Sequence, residues 1–238
     1  MNKAILFLIF TIAVFNLHAQ EEEKEKTITS SSFFINLGYS NLDAQAFSNS
    51  WEPGVFGDIS TPGFLLSFGS SYFYPRFMFN WEFNSNLGGS GEGANHAYRL
   101  SAFEGNLNFG YMVKTSSSLL VYPTVGVGFG SSSFTFESKD ISANNVSDLF
   151  DINGAMLNST FLVIPLAVNT DFLIGKRDNV KFVLGLSAGY NLNINLSDWR
   201  QGSILGRRTD RNSFSELEPF NTQGFFVRAR IAVWSIDK

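Results

Sequence analysis

No cysteine occurs among the 238 residues, which excludes disulfides, thiolate metal sites and a lipidated N-terminal cysteine together. Charge is also scarce: Asp, Glu, Lys and Arg make up 16% of the chain, whereas a water-facing surface normally carries about a quarter or more. The net charge of -4 is mild, and Lys and Arg form neither a basic stripe nor an RNA-binding signature, so nucleic acid is not an expected partner. Past the N-terminal segment no apolar run approaches the roughly eighteen residues of a membrane helix. What is plentiful is Phe, at 26 copies, and Gly, at 21. The length suits one sheet-rich or barrel domain, or two small domains.

The first nineteen residues stand apart. Met1-Asn2-Lys3 gives a positive start, Ala4 to Phe15 is apolar except for Thr11, and Leu17-His18-Ala19 is the expected cleavage site. That order is the order of a secretory signal peptide, residues 1–19, with a mature chain beginning at Gln20. Residues 20–31, opening with Glu21-Glu22-Glu23-Lys24-Glu25-Lys26, read as a charged disordered leader. The domain proper is expected over 32–238.

From Ser32 onward the period is two, not 3.6. The first segment sets Phe33, Ile35, Leu37 and Tyr39 on one face, and the second Phe64, Leu66, Phe68 and Tyr72. The third opposes Phe77, Phe79, Trp81 and Phe83 to Met78, Asn80, Glu82 and Asn84; the fourth opposes Phe103, Leu107, Phe109 and Tyr111 to Glu104, Asn106, Asn108 and Gly110. The pattern recurs around Val125, Val127 and Phe129, around Leu162 to Phe172, and around Phe182 to Leu192. The eighth segment, Gly224 to Trp234, carries Phe225, Val227, Ala229, Ile231 and Val233 on one face and Arg228 and Arg230 on the other. Each segment is about ten residues, the length of a tilted membrane-crossing strand.

The connections alternate strictly. Tyr74-Pro75-Arg76, Lys114 to Ser117 and Gly175 to Asn179 are tight turns, while Ser40 to Thr61, Leu87 to Ala97, Ser132 to Asn158 and Ser197 to Asn221 are long. All long loops therefore fall at one end, the anatomy of an outer-membrane barrel with both termini in the periplasm. A soluble barrel would need its polar face outward and dense in charge. The polar face here is Gly, Ser and Asn, which suits a narrow side-chain-filled interior, so the apolar face looks at lipid. Tyr72, Phe73, Tyr74, Tyr111, Phe172 and Phe182, beside the short turns, are expected as an interfacial girdle. The fold class is all-β: an eight-stranded antiparallel up-and-down transmembrane β-barrel.

Two stretches, Tyr122-Pro123-Thr124-Val125-Gly126-Val127-Gly128 and Phe161-Leu162-Val163-Ile164-Pro165-Leu166, make the chain from Phe33 to Trp234 resemble the small eight-stranded outer-membrane barrels: the OmpA transmembrane domain, OmpX and the PorT-like proteins. The resemblance implies residence in the bacterial outer membrane beside lipopolysaccharide, and insertion by the barrel-assembly machinery, which reads a terminal strand ending in an aromatic. Here the chain departs from the pattern, because Trp234 precedes Ser235-Ile236-Asp237-Lys238 and shares the parity of the arginines. A bulge would be needed to turn it outward.

Inside such a barrel the polar face offers Arg228, Arg230, Glu82, Glu104 and Asp171. Burial demands that they pair, and with the fourth strand opposite the eighth, Glu104 or Glu82 is the expected acceptor. A structural salt-bridge cluster and a gate both fit; a diffusion pore does not, since wide channels need about sixteen strands. A lipid-modifying enzyme would use His96 with Ser90 and Glu92, but Gly88 to Gly93 reads as a flexible loop, so no catalytic residue is assigned. Gly185-Leu186-Ser187-Ala188-Gly189 matches a nucleophile-elbow pattern in mid-strand, without the helix that pattern needs. The third loop holds Asp148 and Asp151, the fourth Arg207, Arg208 and Arg211. They would pair with each other, or bind a divalent cation on one side and lipopolysaccharide phosphates or an envelope protein on the other. No cofactor is expected. The function expected is structural, adhesive or partner-binding, the alternative being an accessory subunit of a secretion or transport complex.

Overall fold

Strands whose alternate residues are large and apolar can hide those residues only against lipid or in a core, and closure of the sheet leaves no edge to satisfy. The computed structural model of the protein describes residues 30–42, 62–92, 96–116, 118–138, 154–175, 180–202, 213–214 and 219–236. Eight strands form the barrel: β1 (Ser30–Asn41), β2 (Pro62–Phe73), β3 (Phe77–Glu92), β4 (His96–Tyr111), β5 (Leu119–Ser138), β6 (Gly154–Ile174), β7 (Val180–Asn195) and β8 (Gly224–Ile236). Every strand pairs antiparallel with its sequence neighbour, and β8 pairs with β1 to close the ring. Two-residue or four-residue ladders at Lys114–Thr115, Trp199–Gly202 and Ser213–Phe214 add to its ends. Among the described residues no helix is long and apolar enough to cross a membrane; the crossing is made by strands.

The outward face is a continuous belt. Phe33, Ile35 and Leu37 of β1, Phe77 and Phe79 of β3, Phe103 and Phe109 of β4, Val125 to Phe129 of β5, Leu184 and Leu186 of β7, and Phe225 and Ile231 of β8 are all exposed, Phe225 at 75%. An apolar surface of that extent is far beyond what a water-soluble monomer shows, and it makes this a membrane-spanning wall. The inward face buries Asn36, Ser67, Asn80, Asn84, Asn106, Asn169 and Ser187 with the five charged residues.

Strand lengths differ from the expected ten residues. β5 runs for 20 residues and β6 for 21, and β3 with β4 absorb nearly all of the second expected loop, Leu87 to Ala97. Toward the loop end the polarity inverts. There the inward side chains are apolar, with Leu42, Tyr98, Leu100, Phe134, Leu157, Phe161, Trp199 and Phe220 in one buried cluster. The outward ones, Arg99, Ser101, Ser131, Ser133, Thr135 and Thr160, are polar and at least partly exposed. A strand that leaves the bilayer faces water, so the polarity of its two faces exchanges while the pleat continues unbroken.

At the other end, where β1 begins and β8 ends, Phe34, Phe73, Met78, Met112, Leu120, Tyr122, Val183, Ala232 and Trp234 form a second buried cluster. Phe73 therefore faces inward and leaves the expected girdle, whereas Tyr72, Tyr74, Phe172 and Phe182 remain exposed. Trp234 is also inward. The β1–β8 register is continuous from Ser30 opposite Ile236 to Ser40 opposite Phe226, so no bulge turns the indole out; its ring lies 4.7 Å from that of Phe73. β1 begins at Ser30, two residues inside the expected leader, because Ser30 and Ser32 pair with Ile236 and Trp234. The turn from β6 to β7 starts at Gly175, whose φ of 133° suits only glycine. Residues 1–19, the expected signal peptide, lie outside the described residues.

Val127→Arg, in the belt of β5, should lower the folding free energy in phospholipid vesicles by about 2 to 4 kcal/mol, whereas Ser133→Arg, further along the same outward face, costs at most about 1 kcal/mol. Denaturant titrations of the vesicle-inserted protein compare the two.

Candidate functional site

The charged residues of the interior come from β3, β4, β6 and β8, and parity alone sends each of them inward. Burial of a guanidinium group is tolerable only with acceptors and π-faces around it. Arg228 has 6% side-chain exposure and places Nη1 3.1 Å from Glu82 Oε1, across the lumen on β3. Its guanidinium carbon stands 4.9 Å from the centre of the Phe226 ring. Arg230 is more densely held. Its Nη1 donates to Tyr122 Oη at 2.5 Å and lies 3.3 Å from Asp171 Oδ2; its Nε donates to Asn36 Oδ1 at 3.1 Å. Tyr122 in turn donates to Asp171 Oδ2 at 2.5 Å, and the Phe34 ring lies 4.5 Å from the guanidinium carbon. One arginine thus ties β8 to β1, β5 and β6, and the other ties β8 to β3.

Of the expected acceptors, Glu82 receives Arg228, but Arg230 goes to Asp171 on β6 and Glu104 meets neither arginine. The register gives the reason. Asp171 and Arg230 both lie opposite Gly185, one on each side of β7. With no side chain on the middle strand, the two reach each other over it. A Cβ at Gly185 would collide with Asp171 Oδ1 and fall 3.1 Å from Arg230 Cβ. Gly38 makes similar room on the other side of β8, where an added Cβ would meet Arg228 Cβ at 2.6 Å.

Tyr122 and Asn36 belong to the site although neither stands out as a chemical motif. The available signal is parity: Asn36 and Tyr122 fall on the inward faces of β1 and β5, the faces that also carry Ser32, Gly38 and Ser40, and Thr124, Gly126 and Gly128. Around the charged layer, Asn108 donates to Asn80 Oδ1 at 2.7 Å and Asn169 to Thr124 Oγ1 at 3.1 Å, and Asn86 donates to Ser40 Oγ. Ser187, of the nucleophile-elbow pattern, is buried in mid-β7 opposite Arg228 and Asn169.

The expected enzyme residues fall on a strand pair, not on a loop. Ser90 lies opposite Arg99 and Glu92 opposite Ala97, after a register shift between Leu87 and Ser90. His96 opens β4 opposite Ser138 of β5 and takes the alternate register position from both Ala97 and Arg99. Asp148, Asp151, Arg207, Arg208 and Arg211 lie outside the described residues. Among the described residues no group of three or more His, Cys, Asp or Glu could hold a metal ion.

No family model and no curated protein matches the sequence. Solved structures do. A major outer membrane protein from Thermus thermophilus is similar over 87% of this chain and 99% of its own, at 13% identity and a TM-score of 0.51. The attachment invasion locus protein Ail of Yersinia pestis is similar over 89% of this chain and 99% of its own, at 12% identity and a TM-score of 0.39. The outer membrane protease OmpT from Escherichia coli covers 92% of this chain and 99% of its own, at 10% identity and a TM-score of 0.37. The first of these likenesses shows the fold, that of an outer-membrane β-barrel; the other two have weaker superpositions and add nothing to that.

Arg230→Met leaves Asp171 buried without its cation and should destabilise the barrel by about 3 to 5 kcal/mol, while Arg230→Met combined with Asp171→Leu recovers most of the loss. Gly185→Val, which stands a side chain between the same two groups, should destabilise in the same sense. Denaturant titration of all three variants reads the result.

Proposed function

We propose that the protein is a bacterial outer-membrane barrel of the OmpA, OmpX and PorT-like kind, with a filled lumen, whose role is structural, adhesive or partner-binding through the loops at its far end. On this reading a signal peptide is removed, the barrel-assembly machinery inserts the chain, and both termini stay in the periplasm. The observation that carries it is the inversion of polarity along β4, β5 and β6. Those strands continue past the lipid belt as a wall with apolar residues inside, such as Leu100 and Phe134, and Ser, Thr and Arg outside. A wall packed in that way is a rigid base for the segments 43–61, 139–153 and 203–212, which all leave from the same end.

A filled lumen agrees with the packing. Aromatic clusters occupy both ends of the interior, and two buried ion pairs lie between them. Eight strands leave an interior that side chains can fill. The Arg207, Arg208 and Arg211 segment is then the candidate contact for lipopolysaccharide phosphates or an acidic envelope protein, because guanidinium groups bind phosphate and carboxylate through paired hydrogen bonds.

Replacing Arg207, Arg208 and Arg211 together by Ser tests the reading in cells treated with a crosslinker. The wild-type protein should give crosslinked species, to lipopolysaccharide or to a protein, that the variant loses, while both keep heat-modifiable migration on gels. Identical crosslinking in the two, or only uncrosslinked monomer in both, would count against it.

A further inference from the structure

One carboxylate inside the barrel has no ion pair among the described residues. Among these residues the buried carboxylates are Glu82, Glu104 and Asp171 and the buried guanidinium groups those of Arg228 and Arg230. Both arginines are committed, Arg228 to Glu82 and Arg230 to Asp171. Lys181, on the inward parity of β7, lies opposite Trp234 and has an interaction of its own. Glu104, at 2% exposure, is left without a cationic partner among the described residues.

The hydrogen-bond donors that reach it are neutral. The Asn106 amide approaches Glu104 Oε2 only at 3.4 Å, and the Thr222 side chain hydrogen-bonds to the same carboxylate. Neutral donors of this kind solvate a charge without cancelling it. Directly opposite Glu104 on β3 is Asn84, and Glu82 is the next inward residue along that strand. The Asn84 amide nitrogen faces Glu82 Oε1 at 3.4 Å, and Arg228 takes the same Oε1. Glu82 Oε2 and Asn84 Oδ1 are then buried acceptors with no donor. Three neighbouring side chains on one inner face therefore present carboxylate and carbonyl oxygens, one of them a carboxylate outside both ion pairs. Gly130, the β5 neighbour of Glu104, adds no side chain of its own.

We propose that a hard monovalent cation of the sodium class is held inside the barrel by Glu104, Glu82 and Asn84. Oxygen-only ligands select a hard ion. One positive charge offsets the carboxylate that has no ion pair, whereas a divalent ion would add a further positive charge next to Arg228, in surroundings that solvate it poorly. The ion would join β3 to β4 as Arg228 joins β3 to β8.

The full chain refolded in detergent at one pH and one ionic strength, in sodium chloride or in choline chloride, tests this. The temperature at which the folded gel band is lost should be higher in sodium by several degrees and should saturate with its concentration, as expected of a ligand that binds only the folded state. Glu104→Gln should remove the sodium dependence and keep the folded band. Wild-type protein refolded in sodium chloride and then desalted into choline chloride should retain sodium stoichiometrically by elemental analysis, a measurement that holds even if Glu104→Gln fails to fold. Equal temperatures in sodium and choline with no retained sodium would overturn the proposal, as would a stability that follows pH alone and points to a proton on Glu104.

Discussion

A full charge has no tolerable position on the lipid side of a β-wall, and that constraint decides everything placed inside this barrel. With a strict period of two, one strand cannot carry Arg228 and Arg230 unless Val227, Ala229 and Ile231 face the bilayer. Once inward, the guanidinium groups need acceptors, and those must come from other strands because β8 supplies none. The ion pairs to Glu82 and Asp171 therefore fix β8 against β3 and β6, and the glycines at 38 and 185 follow as the spaces those side chains need.

Beyond the bilayer the constraint relaxes and then reverses. The long strands β5 and β6 do not stop where the outward residues cease to be apolar; they continue with Phe134 and Leu157 inside and Ser133 and Thr135 outside. The same chain thus behaves as a membrane barrel over one part of its height and as a water-exposed barrel over the next. The long connections leave from that second part, which gives the loops a packed base.

The strand count, the pairing order and the face of every belt residue are legible in the sequence, because lipid enforces the alternation from Phe33 to Val233. Strand ends are not. At Ser131-Ser132-Ser133 the outward residues turn polar, and a pattern defined by apolar parity ends there although the ladder does not. The interior is half legible. Parity identifies Glu82, Glu104, Asp171, Arg228 and Arg230 as a shared inner set, yet which carboxylate meets which arginine depends on the offset between non-neighbouring strands and on the gap at Gly185. Sequence spacing within a strand carries neither. Trp234 is a third case: its parity alone turns it inward, and the continuous β1–β8 register leaves it there against Phe73.

Two tryptophans on opposite faces of the wall allow the central claim to be tested. Trp81 shares the outward face of β3 with Phe79 and Phe83, whereas Trp234 is 8% exposed on the inner face of β8. Single-tryptophan variants retaining one or the other, folded into vesicles of brominated-chain phospholipid, report contact with acyl chains through fluorescence quenching. Trp81 should be strongly quenched and Trp234 should keep its emission. Quenching of Trp234 with protection of Trp81, or quenching of neither, would contradict a barrel that turns its phenylalanines to lipid and its arginines to the interior.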